Sequence, residues 1–161
     1  EDVSAAEGLQ VENPNTGVPL AKSLGLTFAD FDEDGDLDVV VANDTVQNLL
    51  FENKTADEGH DGPAFEEIGA AAGIAFDDKG NARGAMGVDC ARFRDGEAVG
   101  VAIGNFSNEM TAMYVTRAGE MSFTDEAVAN GIGPQSRLDL KFGILFTDFD
   151  LDGRPDVFSA N

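Results

Sequence analysis

The chain is poor in the residues that most often carry catalysis or transition-metal chemistry. Its 161 residues include one cysteine, one histidine, one tyrosine and no tryptophan. A single thiol, Cys90, excludes an internal disulfide framework and any cysteine-based zinc site. Cys90 follows Val88 and Asp89 in a strand-like run and is expected to be a buried free thiol. His60 stands alone in the polar stretch Glu58-Gly-His-Asp-Gly62 and reads as a solvated loop residue. No nucleophile–base pair is visible, so the chain is read as non-enzymatic. No apolar run approaches the roughly 18 residues that span a membrane, and no signal peptide is expected within this sequence. The sequence begins at Glu1, as expected of a chain that is mature, trimmed or excerpted.

Basic residues are also scarce, 10 against 31 acidic, for a net charge of −21. Such a surface repels phosphates, which argues against nucleic acid and anionic membranes as partners. Prolines are few, at 5, whereas the 19 glycines suit a fold with many tight turns.

The acids are concentrated. Six of the nine residues from Asp30 to Asp38 are carboxylates, more crowded than a solvated face requires. The loop Asp30-Phe-Asp32-Glu-Asp34-Gly35-Asp36-Leu-Asp38 is matched by Asp148-Phe-Asp150-Leu-Asp152-Gly153-Arg154-Pro-Asp156. Carboxylates at the first, third and fifth positions converge when the chain curls, and glycine at the sixth permits the turn. The seventh residue, Asp36 or Arg154, differs in sign between loops, so its backbone carbonyl is the expected donor. Asp38 or Asp156 closes the ring. An all-oxygen set of this kind suits calcium. Two carboxylates ~4 Å apart repel by roughly 4 kcal/mol at an effective dielectric of ~20, a term that a divalent cation reverses. Magnesium tolerates so flexible a ring less well, and zinc lacks His or Cys partners. These are not EF-hands, because the twelfth position holds Val41 or Ser159 in place of Glu.

Self-similarity runs through the chain. Asp30, Asp89 and Asp148 lie 59 residues apart, each five residues after a glycine (Gly25, Gly84, Gly143), and each is followed by an apolar run ending in Asn43, Asn105 or Asn161. Asn48-Leu-Leu-Phe51 corresponds to Thr111-Ala-Met-Tyr114. The block from Phe65 to Gly73-Ile74 corresponds to Phe123 through Gly131-Ile132, and residues 1–9 match the same block. The expected units are 1–65, 66–123 and a partial third, 124–161, about 2.7 repeats of a single repeat domain. Short apolar runs at Leu24–Ala29, Val39–Ala42, Leu49–Phe51 and Phe65–Ile68 predict four strands per unit. Ala70-Ala-Ala-Gly73 suggests one short helical turn. The expected fold is all-β, built from four-stranded blades of β-propeller type. In the middle unit Ala91 stands at the third position after Asp89, with Arg92 and Arg94 nearby. No calcium is expected there, and the arginines are expected to hold Asp89 or Asp95 in place of a metal.

The pattern glycine, hydrophobic run, Asp-Phe-Asp-x-Asp-Gly-x-x-Asp, then an apolar run to Asn, resembles the FG-GAP/VCBS repeat. The likeness is to the version found in cartilage acidic protein-like chains that carry an ASPIC/UnbV segment. It covers most of the sequence, strongly in the first and third units and weakly in the second. The resemblance implies a seven- or eight-bladed propeller of the integrin α-subunit kind, with calcium in the first hairpin loop of a blade. It also implies an extracellular or secreted protein acting in adhesion or as an interaction scaffold. Fewer than three units cannot close a propeller, so the chain is expected to be an excerpt or part of an assembly.

Three functions follow as expectations. The first is a calcium-stabilised extracellular module with two calcium sites that binds a protein or glycan ligand. The second is a self-associating structural element, such as a surface fibre of calcium-stapled repeats. The third is an accessory domain of a polysaccharide-active enzyme.

Overall fold

The computed structural model describes residues 2–55, 62 and 64–161; His60 lies outside the described residues. The chain is mostly β. Strands β1 (Ser23–Ala29), β2 (Asp38–Asn43), β3 (Leu49–Asn53) and β4 (Phe65–Glu67) form one antiparallel sheet in chain order. Strands β5 (Ala85–Phe93), β6 (Ala98–Asn105), β7 (Ala112–Arg117) and β8 (Thr124–Asp125) form a second in the same order. A third unit is the hairpin β9 (Gly143–Thr147) and β10 (Asp156–Ala160). Two short helices lie in the links, α1 (Gly69–Ala72) before β5 and α2 (Ile132–Ser136) before β9. Strands β2 and β6 carry apolar residues on both faces because each face packs into its own cluster: Val40 and Ala42 into one and Val41 into another, Val101 and Ile103 into one and Ala98 and Ala102 into another. Among the described residues the sheets stand in succession and close no ring.

The registers reveal the true repeat. Ser23 pairs with Asn43 and Leu26 with Val41; Ala85 pairs with Asn105 and Val88 with Ile103. The second hairpin therefore repeats the first at an offset of 62 residues (23 to 85). Gly25 opposes Ala42 as Gly143 opposes Ala160, so the third hairpin follows Gly87 by 56 residues (87 to 143). The even spacing of Asp30, Asp89 and Asp148 is thus accidental. Asp89 lies within β5 and corresponds to Thr27; the residue that corresponds to Asp30 is Arg92. Gly87, not Gly84, is the counterpart of Gly25. Sequence spacing misled because the links between hairpins differ in length while the hairpins do not.

Successive sheets pack through their first strands, β1 on β5 and β5 on β9. A Cβ at Gly25 would sit 2.5 Å from the Met86 carbonyl oxygen, and one at Gly87 would sit 2.6 Å from that of Phe142. Glycine at this point lets neighbouring backbones touch. Between the first two sheets lies the main core, where Phe31, Val40 and Leu50 meet Val101, Ile103, Tyr114 and Phe123. A second cluster, with Ala102, Met113 and Val115, is flanked by Ile144, Phe146 and Val157 of the third unit.

Half-buried carboxylates stitch the two four-stranded sheets in the same way. Glu67 Oε1 accepts from the Leu50 and Gly69 N–H groups, and Asp125 Oδ1 accepts from those of Met113 and Ala127. Asn43 and Asn105 close the loops after β2 and β6, donating to the carbonyls of Gln47 (2.8 Å) and Met110 (2.7 Å). The expected burial of Cys90 is only partial: its free thiol is half-buried and lies 3.4 Å from the Thr27 hydroxyl. Burial is the largest cause of its raised pKa.

Lys141 was not legible from sequence. It is fully buried, and its ammonium donates to the carbonyls of Glu109 (3.1 Å), Ser136 (2.5 Å) and Asp139 (2.9 Å). It thereby ties the β6–β7 link to α2 and to the segment entering β9. Lys141→Met leaves three carbonyls without their donor and is expected to cost about 2–4 kcal/mol. Urea denaturation reads this as a lowered midpoint at unchanged slope.

Candidate metal centres

Both Asp-rich loops join the first two strands of a hairpin, Ala29 to Asp38 and Thr147 to Asp156. Their backbones agree. Glu33 and Leu151 at the fourth position have φ of 64° and 60°, and Gly35 and Gly153 at the sixth have φ of 99° and 85°. Left-handed geometry at a glutamate or leucine is unfavourable, yet both loops adopt it. The two reversals curl the chain so that its carboxylates face one another.

In the first loop, one carboxylate oxygen each of Asp30, Asp32 and Asp34 lies within 4.8 Å of the others. Loop N–H groups hold the side chains in place. Gly35 donates to Asp30 Oδ2 (3.2 Å), Asp34 to Asp32 Oδ1 (3.3 Å) and Asp36 to Asp34 Oδ1 (2.8 Å). Asp30 Oδ1 and Asp36 Oδ2 are buried and have no hydrogen-bond partner among the described residues. Burial raises the Asp32 pKa, with Asp34, Glu52 and Asp30 adding repulsion against one opposing hydrogen bond from the Asp34 N–H.

Asp38 sits behind this triad, not in it. It is buried, and its two oxygens accept from the Phe31 N–H (3.0 Å) and the Asn53 N–H (2.9 Å). Its pKa is pushed up to about 6, burial outweighing those two donors. Asp38 thus locks the loop shut at its base and joins it to β3.

The second loop gathers a different triad, Asp148, Asp150 and Asp156. Asp156 accepts from the Phe149 N–H (3.0 Å), as Asp38 does from the Phe31 N–H. Asp152 is drawn aside: its carboxylate is engaged by the Arg154 backbone N–H (2.9 Å) and guanidinium. The Arg154 contact is the largest cause of the lowered Asp152 pKa. Of the ten residues expected at metal, six form the two triads; Asp38 and Asp152 are held by other partners. Asp36 and Arg154 occupy the seventh position of each loop.

The middle unit inverts the charge. In register with Asp30-Phe31-Asp32 stands Arg92-Phe93-Arg94, and in register with Asp38 stands Gly100. A Cβ at Gly100 would meet Met113 Cε at 2.5 Å and the Phe93 ring at 3.1 Å, so apolar side chains fill the place of the carboxylate. The turn is shorter, with Arg94, Asp95 and Gly96 all at positive φ. No acidic triad able to hold a metal forms here among the described residues. The arginines do not hold Asp89 or Asp95, contrary to expectation. Arg92 pairs with Glu33 of the first loop (2.7 Å) and reaches the Asp30 carbonyl (3.4 Å), while Arg94 pairs with Glu126 (2.5 Å). Asp89 instead accepts from the Phe146 N–H (2.7 Å), bridging β5 to β9. The reason is registral: Asp89 lies inside the strand, out of reach of the turn.

The sequence reading missed the second position of the loops. Phe31 is 0% exposed and meets Phe123 edge-on at 5.4 Å, so it anchors the first loop in the core. Gly119 N–H donates to the Phe31 carbonyl (2.9 Å), a second tie from the neighbouring sheet. The signal was present as Phe31, Phe93 and Phe149, one per turn.

The donor set fits a hard cation. It is all oxygen, convergent and anionic, and it includes a buried carboxylate oxygen with no hydrogen-bond partner among the described residues. No protein-family model matches the chain, and no curated protein matches it.

Proposed function

We propose that this chain is a calcium-binding repeat module in which two ions staple the first hairpin of the first and third units. The observation that carries the reading is the duplicated loop: two segments far apart in sequence share the same left-handed positions and each converge three carboxylates. Calcium suits a flexible ring of this kind better than magnesium, which demands octahedral geometry, or zinc, which favours nitrogen and sulfur. Bound, the ion neutralises carboxylates whose mutual repulsion opposes the curl of the loop.

The repeated antiparallel sheets, packed first strand on first strand, support a blade of propeller type and the FG-GAP/VCBS resemblance. On that reading the module is extracellular, where free calcium fills sites of ~10⁻⁴–10⁻³ M affinity. It serves as a rigid scaffold for adhesion or for a protein or glycan ligand. No described helix is long and apolar enough to cross a membrane.

Calcium titration of two variants tests the assignment. Asp30→Asn and Asp148→Asn are each expected to lose one of two sites and leave the other unchanged. Retention of both sites in either variant would move the metal elsewhere.

A further inference from the structure

At the end of the sheets opposite the Asp-rich loops, three links enclose a cavity of about 330 Å³. Its walls are residues 77–83 before β5, the β6–β7 loop at 108–110, and Arg137 after α2. Each of these links runs between described strands inside the chain. The lining gathers Lys79, Arg83 and Arg137, three of only ten basic residues in a chain of net charge −21. Two acids line it as well, but the loops already engage them. Asp77 Oδ1 accepts from the Lys79 and Asn81 N–H groups (2.9 and 2.8 Å), and its Oδ2 from Arg83 Nε (3.3 Å). Glu109 Oε2 accepts from the Gly84 N–H (2.8 Å).

The cations, by contrast, keep unused donors. Arg83 is fixed by Asp77 and by the Met110 carbonyl (3.1 Å), and its side chain is only 14% exposed. Its Nη2 has no partner among the described residues. Arg137 donates through Nε to the Asn108 carbonyl (3.3 Å), which leaves both terminal nitrogens unpaired among the described residues. The Lys79 ammonium is likewise unpaired among them.

We propose that this cavity binds a sugar acid, a single ring carrying one carboxylate. The two terminal nitrogens of Arg137 form the planar fork that matches a carboxylate, and Arg83 and Lys79 add positive charge. Three cations against two acids leave one positive charge, which one carboxylate neutralises. A polyanion would be repelled by the rest of the molecule. The amides of Asn81 and Asn108 offer donors and acceptors to ring hydroxyls. The volume sits at the small end of ligand pockets, as one ring requires. Among the described lining residues only Ala82 and Met110 are apolar, which disfavours a peptide. The assignment rests on the reading of the module as a glycan binder for its choice of sugar, and is independent of the metal loops.

Chemical-shift mapping of the isotope-labelled chain, titrated with D-glucuronate in calcium, tests it. Saturable shifts are expected at Lys79, Asn81, Asn108 and Arg137. D-glucose, which lacks the carboxylate, is expected to bind at least about tenfold more weakly. Arg137→Gln and Lys79→Gln, both at exposed positions, are each expected to weaken glucuronate by about tenfold or more. No saturable shift at any concentration, glucose binding as tightly, or unchanged affinity in Arg137→Gln would overturn the proposal. Tighter binding of an acetylated aspartyl amide would also overturn it and assign the cavity to an acidic peptide. Glucuronate shifts confined to another face would overturn the cavity and leave the glycan reading standing. Failure of the metal sites would be read separately, at the Asp-rich loops on calcium addition.

Discussion

Phe31→Ala is expected to lower stability by about 3–5 kcal/mol, while the same truncation at Phe149 costs under about 1 kcal/mol. The two residues hold the same place in loops of the same conformation, yet their surroundings differ. Phe31 is fully buried against Phe123, and its carbonyl is tied to Gly119 of the second sheet. Phe149 is 71% exposed and touches Phe158 of its own hairpin. Truncating Phe31 opens a cavity between two sheets, whereas truncating Phe149 removes surface that is already in water. Denaturant unfolding at concentrations that keep the chain monomeric would measure both. Equal losses would mean that the first loop is not anchored through its phenylalanine. Arg92 would then remain as its main tie to the second sheet, through Glu33 and the Asp30 carbonyl.

Chelation is expected to produce the second large effect. Calcium at a hundredfold excess over its dissociation constant stabilises the folded state by about 2.7 kcal/mol for each site. For a domain of this size, that is roughly 5–10 °C in melting temperature per site. The first site should respond more in global stability, because its loop is bound to the core through Asp38, Phe31 and β3. In the second loop Asp156 accepts from the Phe149 N–H and Phe149 is exposed, so the loop lacks the buried phenylalanine of the first. Thermal unfolding with and without chelator, in wild type and in Asp30→Asn, separates the two contributions. Unchanged melting on chelation would leave the acidic triads without a structural role.

Much of the fold was legible because short apolar runs bounded by Gly, Asn and Asp are strands in almost any context. The runs at Leu24, Val39, Leu49 and Phe65 became β1 to β4 within a residue or two. The acidic triads were also legible, since a nonapeptide loop brings its own ligands together. The register of the middle unit was not. Three aspartates at equal spacing outweighed the better match, in which Gly87-Val-Asp-Cys-Ala-Arg92-Phe-Arg94 follows Gly25-Leu-Thr-Phe-Ala-Asp30-Phe-Asp32. Charge reversal hid the likeness, and the recurring Phe31 and Phe93 carried it. The roles of Asp38 and Asp152 were hidden for a different reason. Partners from other elements decide them: Asn53 lies on the third strand for Asp38, and an arginine at the seventh position claims Asp152. Lys141 was invisible because its three carbonyls come from segments whose proximity only the fold creates.

Isothermal titration of calcium into chelator-treated wild-type chain at neutral pH tests the central claim most directly. Two equivalents bound per chain, with none attributable to the middle unit, is the predicted result. Absence of binding heat at calcium concentrations above the millimolar range of extracellular sites would contradict it and leave the paired loops as acidic turns.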